Sequence, residues 1–266
     1  MYQHSEQQVE TSKNDEYSNL QETKIHRLYI KFHKKVIYRV LKWIKNKILT
    51  KQLVKVKCKF KWFGNDYGGF YICPDVFRNE EIIVYSIGIG EDASFDIDFM
   101  KEYKNCKIFA FDPTPKSIEW MKKQKLPQNF NICPYGISSK TGEQKMFLPQ
   151  NKNHVSGSMY ELEHLSKDDT ITVKMKRIED ILREYGHEYV DIIKMDIEGG
   201  EFSVLENMNF KRINCGQIVL EFHEQFFKDG KELMEKAIKK LKNNNYCCFA
   251  ISHSCHEYSF INTDIL

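Results

Sequence analysis

Two periodicities of apolar positions divide the chain. In "KIHRLYIKFHKKVIYRVLKWIKNKILTKQ" the residues Ile25, Leu28, Tyr29, Phe32, Val36, Val40, Trp43, Ile44 and Ile48 recur at steps of three and four, which predicts an amphipathic helix. From residue 81 the pattern changes to short apolar runs separated by helical stretches. "EIIVYSIG" (81–88), "KIFAFD" (107–112), "NFNICPY" (129–135), "VDIIKMD" (190–196) and "QIVLEFH" (217–223) read as strands. Helices are predicted over 93–104, 115–125, 177–186, 200–208 and 229–242, the third closed by Gly186. "GNDYGGFYICPD" (64–75) reads as a Gly-rich turn into a short strand, and "GEQKMFLP" and "ITVKM" as strands of an insertion. Strands alternating with helices predict a mainly parallel sheet covered on both faces.

The end of the chain refines that picture. Only "HSCH" separates "YCCFAIS" (246–252) from "EYSFI" (257–261). A parallel crossover needs a dozen or more residues, so these two strands, if adjacent, run antiparallel. A dinucleotide-binding sheet is parallel to its edge.

Charge sets the segments apart. Residues 24–61 hold 14 Lys/Arg and no acid, whereas residues 1–23 carry 1 basic and 5 acidic residues. Residues 62–266 carry 25 basic and 32 acidic residues. The expected organisation is a disordered polar tail (1–23), a basic helical arm (24–61) and an acidic catalytic body (62–266). The arm has three uses open to it: docking its apolar face on the body, lying on an anionic membrane surface through residues 25–49, or binding a polyanion. No nucleic-acid module accompanies it, which disfavours the last. The eight cysteines have no regular spacing and several sit in strand-like runs, as buried free thiols do. No signal peptide and no apolar run of membrane-spanning length is visible, so a cytoplasmic setting is expected, with peripheral membrane contact an option.

In an open α/β sheet, ligands sit at the carboxyl ends of the strands. After the first strand come Ser86, Gly88 and Gly90, glycines that let a ligand approach the backbone. Asp112, at the end of the second, is placed to accept hydrogen bonds from both hydroxyls of a ribose, with Pro113 against a flat base. "YGISS", with Gly136, closes on the adenine edge. Together these residues describe an adenosine site. Gly88-x-Gly90-x-x-Ala93 also fits a dinucleotide fingerprint, but Glu91 and Asp92 at the next helix start repel a pyrophosphate. The zwitterionic tail of S-adenosylmethionine tolerates them better. After the fourth strand comes "KMDIEGGE", with Lys194, Asp196, Glu198 and Glu201, and after the fifth Glu221 and His223. Carboxylates so crowded require cations or hydrogen bonds to offset them, although acids here also serve as ordinary helix caps.

At "VDIIKMDIEGGEFSVLENM" the chain resembles the FkbM family of S-adenosylmethionine-dependent methyltransferases, whose lysine-x-aspartate-x-glutamate-glycine motif it carries. "SIGIGEDASFD", "FAFDPTP", "VKMKRIEDIL" and "LEFH" follow in family order, so the likeness covers residues 64–262. "GIGEDASFD", "DPTP" and "HEYSFI" are similar to a subgroup described as methyltransferase-like proteins. The resemblance implies an α/β fold of class I methyltransferase type, a three-layer sandwich whose seven-stranded, mostly parallel sheet has an antiparallel closing strand, preceded here by the basic helix. It implies methylation of a hydroxyl on a glycan or small metabolite. Many such enzymes carry an acid two residues before the first glycine; here that position is Ser86. The expected cofactor residues are Ser86, Gly88, Gly90, Glu91, Asp112, Pro113, Gly136 and Asp196, with no metal. His223 is the first candidate for general base, since imidazole titrates near neutrality, and Asp196 and Glu198 are its rivals. Two other functions stay open: a nicotinamide-dependent oxidoreductase, and a cofactor-binding partner module without catalysis.

Overall fold

The computed structural model describes residues 31, 34, 36–77, 80–151 and 153–266. The expected tail over 1–23 lies outside them, as does most of the first half of the arm. Residues 36–53 are helical (α1). The chain divides into two units at Ile48/Leu49 rather than at 61/62. In the second unit Leu49, Leu53 and Val54 pack against the hydrophobic core, which is why the end of the helix belongs to the body.

The body opens with an antiparallel hairpin, β1 (Lys61–Phe63) and β2 (Phe70–Ile72). The strand–helix alternation follows: β3 (Ile82–Ile87), α2 (Ser94–Glu102), β4 (Cys106–Phe111), α3 (Pro115–Lys123) and β5 (Phe130–Cys133). An insertion then forms its own sheet from β6 (Gly136–Ile137), β7 (Gly142–Pro149) and β8 (Leu165–Lys176), in the order β6-β8-β7. The chain resumes with α4 (Ile178–Tyr185), β9 (Val190–Met195), α5 (Gly200–Asn207), β10 (Cys215–Glu221), α6 (Gly230–Asn243), β11 (Tyr246–Ile251) and β12 (Glu257–Asn262). Gly186 ends α4 at φ 68°, a left-handed conformation that favours glycine at a helix end.

The main sheet has seven strands in the order β11-β12-β10-β9-β3-β4-β5. Its central pairs are parallel, while β12 runs antiparallel to both β10 and β11. The four-residue connection therefore does what its length demands, and β12 slots between β10 and β11. All six residues of β3 and all six of β9 are buried, as expected for central strands covered on both faces. Alternate β3 residues feed two cores. Tyr85 and Ile87 join Leu182, Phe202 and Leu241 of α4, α5 and α6, whereas Ile82 and Val84 join Phe95 and Phe99 of α2 and Phe70 of β2.

The chain runs from β3 outward to β4 and β5, then returns to place β9 on the other side of β3. That reversal leaves a crevice between the carboxyl ends of β3 and β9, where ligands bind in sheets of this kind.

Candidate active site

A cavity of about 880 Å³ opens at this crevice, within the size range of small-molecule sites. Gly88, Gly90, Glu91, Asp112, Pro113, Gly136, Asp196, Glu198 and His223 all line it. Residues drawn from five strand ends thus converge on one space. Ser86 does not reach it. Its side chain points from β3 with the parity of Val84, fully buried on the α2 side, beside the carboxyl of Asp96. The expected cofactor contact at Ser86 is therefore corrected: strand alternation sends that residue into the layer, not the crevice.

The loop after β3 is shaped by glycine. Gly88 has φ 76°, and a Cβ there would lie 1.7 Å from the carbonyl oxygen of Asp196. Gly90 has φ 57°, but a Cβ there would meet nothing within 4 Å. One glycine lets two strand ends touch; the other faces open space.

Asp112 sits where a ribose partner was expected, but its oxygens are already engaged. Oδ2 accepts from the amides of Ile89 (3.1 Å) and Gly90 (2.9 Å). Oδ1 accepts from the Thr114 amide (2.9 Å) and the Thr114 hydroxyl. A carboxylate offers about four acceptor positions, so Asp112 braces the glycine loop, and a ribose hydroxyl has to share it. Gly136 packs so closely on Pro113 that a Cβ there would lie 2.9 Å from the proline ring. With Ile137 and Met175, these residues form a narrow apolar slot suited to a flat base.

Lys194 donates from Nζ to the Gly88 carbonyl (2.6 Å). That occupies a carbonyl of the loop that lines the cavity. Asp92 is also engaged, by Asn65 Nδ2 (2.8 Å) and the Ser94 amide (2.8 Å). Glu91 keeps one loose partner, Lys116 at 3.8 Å.

The second half of the site is an acid–histidine cluster. His223 Nε2 lies 3.7 Å from Asp196 Oδ1, 3.7 Å from Glu198 Oε2 and 3.9 Å from Glu221 Oε1. Its Nδ1 lies 3.3 Å from Glu201 Oε1. Glu201 is fully buried, and it also accepts from the amides of His223 and Gly199, each at 2.9 Å. Glu201, in the first turn of α5, thus ties the residue that precedes the helix to His223 and fixes the imidazole at the same time. Burial alone would lower the His223 pKa, but the Glu201 hydrogen bond and the charges of Glu201, Asp196 and Glu198 outweigh it and raise it to about 10. Burial, reinforced by Asp196, pushes Glu221 up to about 8; burial also raises Glu198. Glu198 has φ 51°, an uncommon conformation for a non-glycine residue that costs of order 1 kcal/mol or more. Its carbonyl accepts from Ser158 Oγ at 2.7 Å, which holds the strained turn against the insertion.

Sequence reasoning missed the β1–β2 turn as a wall of the cavity, through Asn65, Tyr67 and Gly68. It also missed Glu201 as the histidine's partner. "GNDYGG" signalled only a turn, and nothing local placed that turn over the crevice.

A mostly parallel seven-stranded sheet with one antiparallel strand next to its edge, and a cavity at its switch point, define a class I methyltransferase fold. Residues 75–248 match the Methyltransferase FkbM domain, and the chain belongs to that family, whose cofactor is S-adenosylmethionine. It is 25% identical over 149 residues to human "Probable methyltransferase-like protein 24", a match covering 55% of this chain and 34% of that one. It is 25% identical over 163 residues to "2-O-methyltransferase NoeI" of Sinorhizobium fredii (56% and 66%) and 24% identical over 145 residues to "Methyltransferase sdnD" of Sordaria araneosa (43% and 56%). The chain thus spans about a third of the length of the human relative. Among solved structures, Aeropyrum pernix fibrillarin with natively bound S-adenosyl-L-methionine overlaps 69% of this chain and 66% of its own at 11% identity and a TM-score of 0.39. Among the described residues no helix is long and apolar enough to cross a membrane.

Proposed function

We propose that the protein transfers the methyl group of S-adenosylmethionine to a hydroxyl of a glycan or small metabolite. The observation that carries this reading is the convergence of the glycine loop, the Pro113–Gly136 slot and the acid–histidine cluster on one cavity. The sulfonium supplies an already activated methyl. Transfer would form a C–O bond as the C–S bond breaks, leave the electron pair of that bond on sulfur, and pass the hydroxyl proton to the protein. Pro113 and Gly136 would hold the base, and the loop from Gly88 to Glu91 would take the amino-acid end. The 2-O-methyltransferase in the name of the Sinorhizobium relative favours a hydroxyl acceptor.

The chain's own part is to position the acceptor and remove its proton. The carboxylates of Asp196 and Glu198 open on the cavity beside His223. Glu201, Asp196 and Glu198 together favour the charged imidazole, so His223 orients the acids, and they accept the proton. A nicotinamide dinucleotide fits the loop poorly. The Ile89 and Gly90 amides that would bind a pyrophosphate are turned onto Asp112, and Glu91 and Asp92 flank them.

Two experiments test the reading. Calorimetry should give binding of S-adenosylmethionine and none of NAD; the reverse result sinks the assignment. Incubating the protein with methyl-labelled cofactor and a host extract should place label in a glycan or small-metabolite fraction. His223→Ala should lower turnover with cofactor affinity kept, and unchanged turnover removes His223 from the site's chemistry.

A further inference from the structure

We propose that Asp196, Glu221 and His223, with Glu198 beside them, bind a divalent cation that takes up the acceptor hydroxyl. The proposal deepens the methyltransferase reading and rests on it for the identity of the acceptor, though not for the cation.

The ligand atoms are gathered by the sheet. Met195 and Leu220 are register partners on adjacent parallel strands, so the next residues, Asp196 and Glu221, leave the sheet side by side at its carboxyl edge. His223 follows two positions later. One donor atom each from Asp196, Glu221 and His223 lies within 4.8 Å of the others. Two ligands about 2.2 Å from a metal, set 90–120° apart, are separated by roughly 3.1–3.8 Å, given usual metal–nitrogen and metal–oxygen distances. The separations from His223 Nε2 to the carboxylates, 3.7 to 3.9 Å, reach the wide end of this range and, for Glu221, pass it slightly. They are too long for hydrogen bonds and close to what a shared ion requires.

The histidine carries the second, independent observation. Its side chain is 4% exposed, and Nε2 has three acids in reach but is at hydrogen-bond distance from none. The ring is aimed by its other nitrogen, against Glu201, which two backbone amides hold in turn. A buried carboxylate on one imidazole nitrogen, with the other pointing into a set of oxygen ligands, is the outer-shell arrangement of metal-bound histidines. A helix cap alone would not require Glu201 to reach a ring nitrogen.

The electrostatics ask for the same group. Asp196, Glu198, Glu201 and Glu221 surround one imidazole, and the nearby Lys194 spends its ammonium on the Gly88 carbonyl. A divalent ion offsets this excess where a single proton cannot. One imidazole with two or three carboxylates suits Mn²⁺ better than the softer thiolate-seeking ions. The coordination positions left open face the cavity. An alcohol bound there is acidified by the ion, so the substrate is a hydroxyl rather than an amine, and Asp196 or Glu198 needs only to relay its proton.

The test uses the full chain, stripped with chelator and titrated with Mn²⁺ alone by calorimetry and electron paramagnetic resonance. S-adenosylmethionine binding is measured in parallel. One bound Mn²⁺ per chain is expected, together with a rise in the melting temperature of the unmutated protein, which requires no variant to fold. Asp196→Asn and Glu221→Gln should each weaken Mn²⁺ at least 10-fold. Glu201→Gln, which touches no ion, should weaken it roughly 10–100-fold, while the surface variant Lys101→Ala changes nothing. Absence of Mn²⁺, Mg²⁺ and Zn²⁺ binding at millimolar concentration, with cofactor binding intact, overturns the cation site and leaves the methyltransferase reading standing. Mn²⁺ binding that survives both ligand variants overturns it as well. Loss of cofactor binding in the unmutated chain tells against the methyltransferase reading instead.

Discussion

Lys194 Nζ lies 2.6 Å from the carbonyl oxygen of Gly88, so a buried cation on β9 ties down the glycine loop that leaves β3. The same ammonium is the main favourable charge acting on Asp96, whose carboxyl burial pushes up to about 6 and whose Oδ1 has no hydrogen-bond partner. Lys194→Met should therefore destabilise the protein by about 1–3 kcal/mol, measured by urea unfolding. Adding Asp96→Asn should recover part of that loss, because removing both charges strands neither. Strict additivity of the two would show that they do not interact.

Asp112 gives a second prediction. Because its four hydrogen bonds brace the loop, Asp112→Ala frees two loop amides and should cost about 1–3 kcal/mol of stability without any cofactor present. Affinity for S-adenosylmethionine should fall with it, by at least 10-fold in calorimetry. A variant with normal stability and weak binding would restore the simpler picture of a ribose ligand alone.

The glycines predict a contrast. A methyl group at Gly88 collides with the backbone of Asp196, whereas one at Gly90 meets empty space. Gly88→Ala should destabilise by about 3 kcal/mol or more. Gly90→Ala should cost only about 1 kcal/mol, for its left-handed backbone, yet weaken cofactor binding because its methyl enters the cavity. Thermal melts and calorimetry on the two proteins separate loop-building from cofactor approach.

Much of this was legible beforehand, for identifiable reasons. Six-residue buried runs such as "IIVYSI" announce central strands, and a connection of four residues allows only an antiparallel partner. Residues that end strands converge by topology alone, which is why Gly88, Asp112, Asp196 and His223 were found together. The failures have a common cause: side-chain direction. Ser86 shares the parity of Val84 and so faces α2. Glu201 reads as a helix-start acid until β10 brings His223 to it. Lys194 is the register partner of Ser86, and its sequence neighbours, the acids, give no hint that it reaches back to Gly88.

Buried Asp191 sets a pH dependence away from the site. It is 1% exposed, accepts from the Ile83 amide at 2.8 Å, and burial raises its pKa to about 6. The folded state thus binds this proton more tightly than the unfolded chain. The stability it contributes is fully present below about pH 4 and lost as pH rises through about 6. Asp191→Asn copies the protonated form, so the variant should match the parent near pH 4 and exceed it at pH 7 by roughly 2–3 kcal/mol. Urea titrations at the two pH values check the sign, and equal differences at both would refute the shift.

The last prediction concerns the unit that ends at Ile48. Its described helical residues leave Ile37, Tyr38, Leu41 and Trp43 each more than half exposed, among Lys34, Arg39, Lys42, Lys45 and Lys47. Large apolar groups flanked by cations suit the interface of an anionic bilayer, where burial of the first set and attraction of the second add. The intact protein should float with phosphatidylserine liposomes at low salt, less at high salt, and hardly at all with neutral liposomes. Leu41→Glu with Trp43→Glu should abolish flotation while leaving cofactor affinity unchanged, since neither residue lines the cavity. Equal binding to neutral and acidic liposomes would remove the electrostatic half of the proposal, and no binding at low salt would remove all of it.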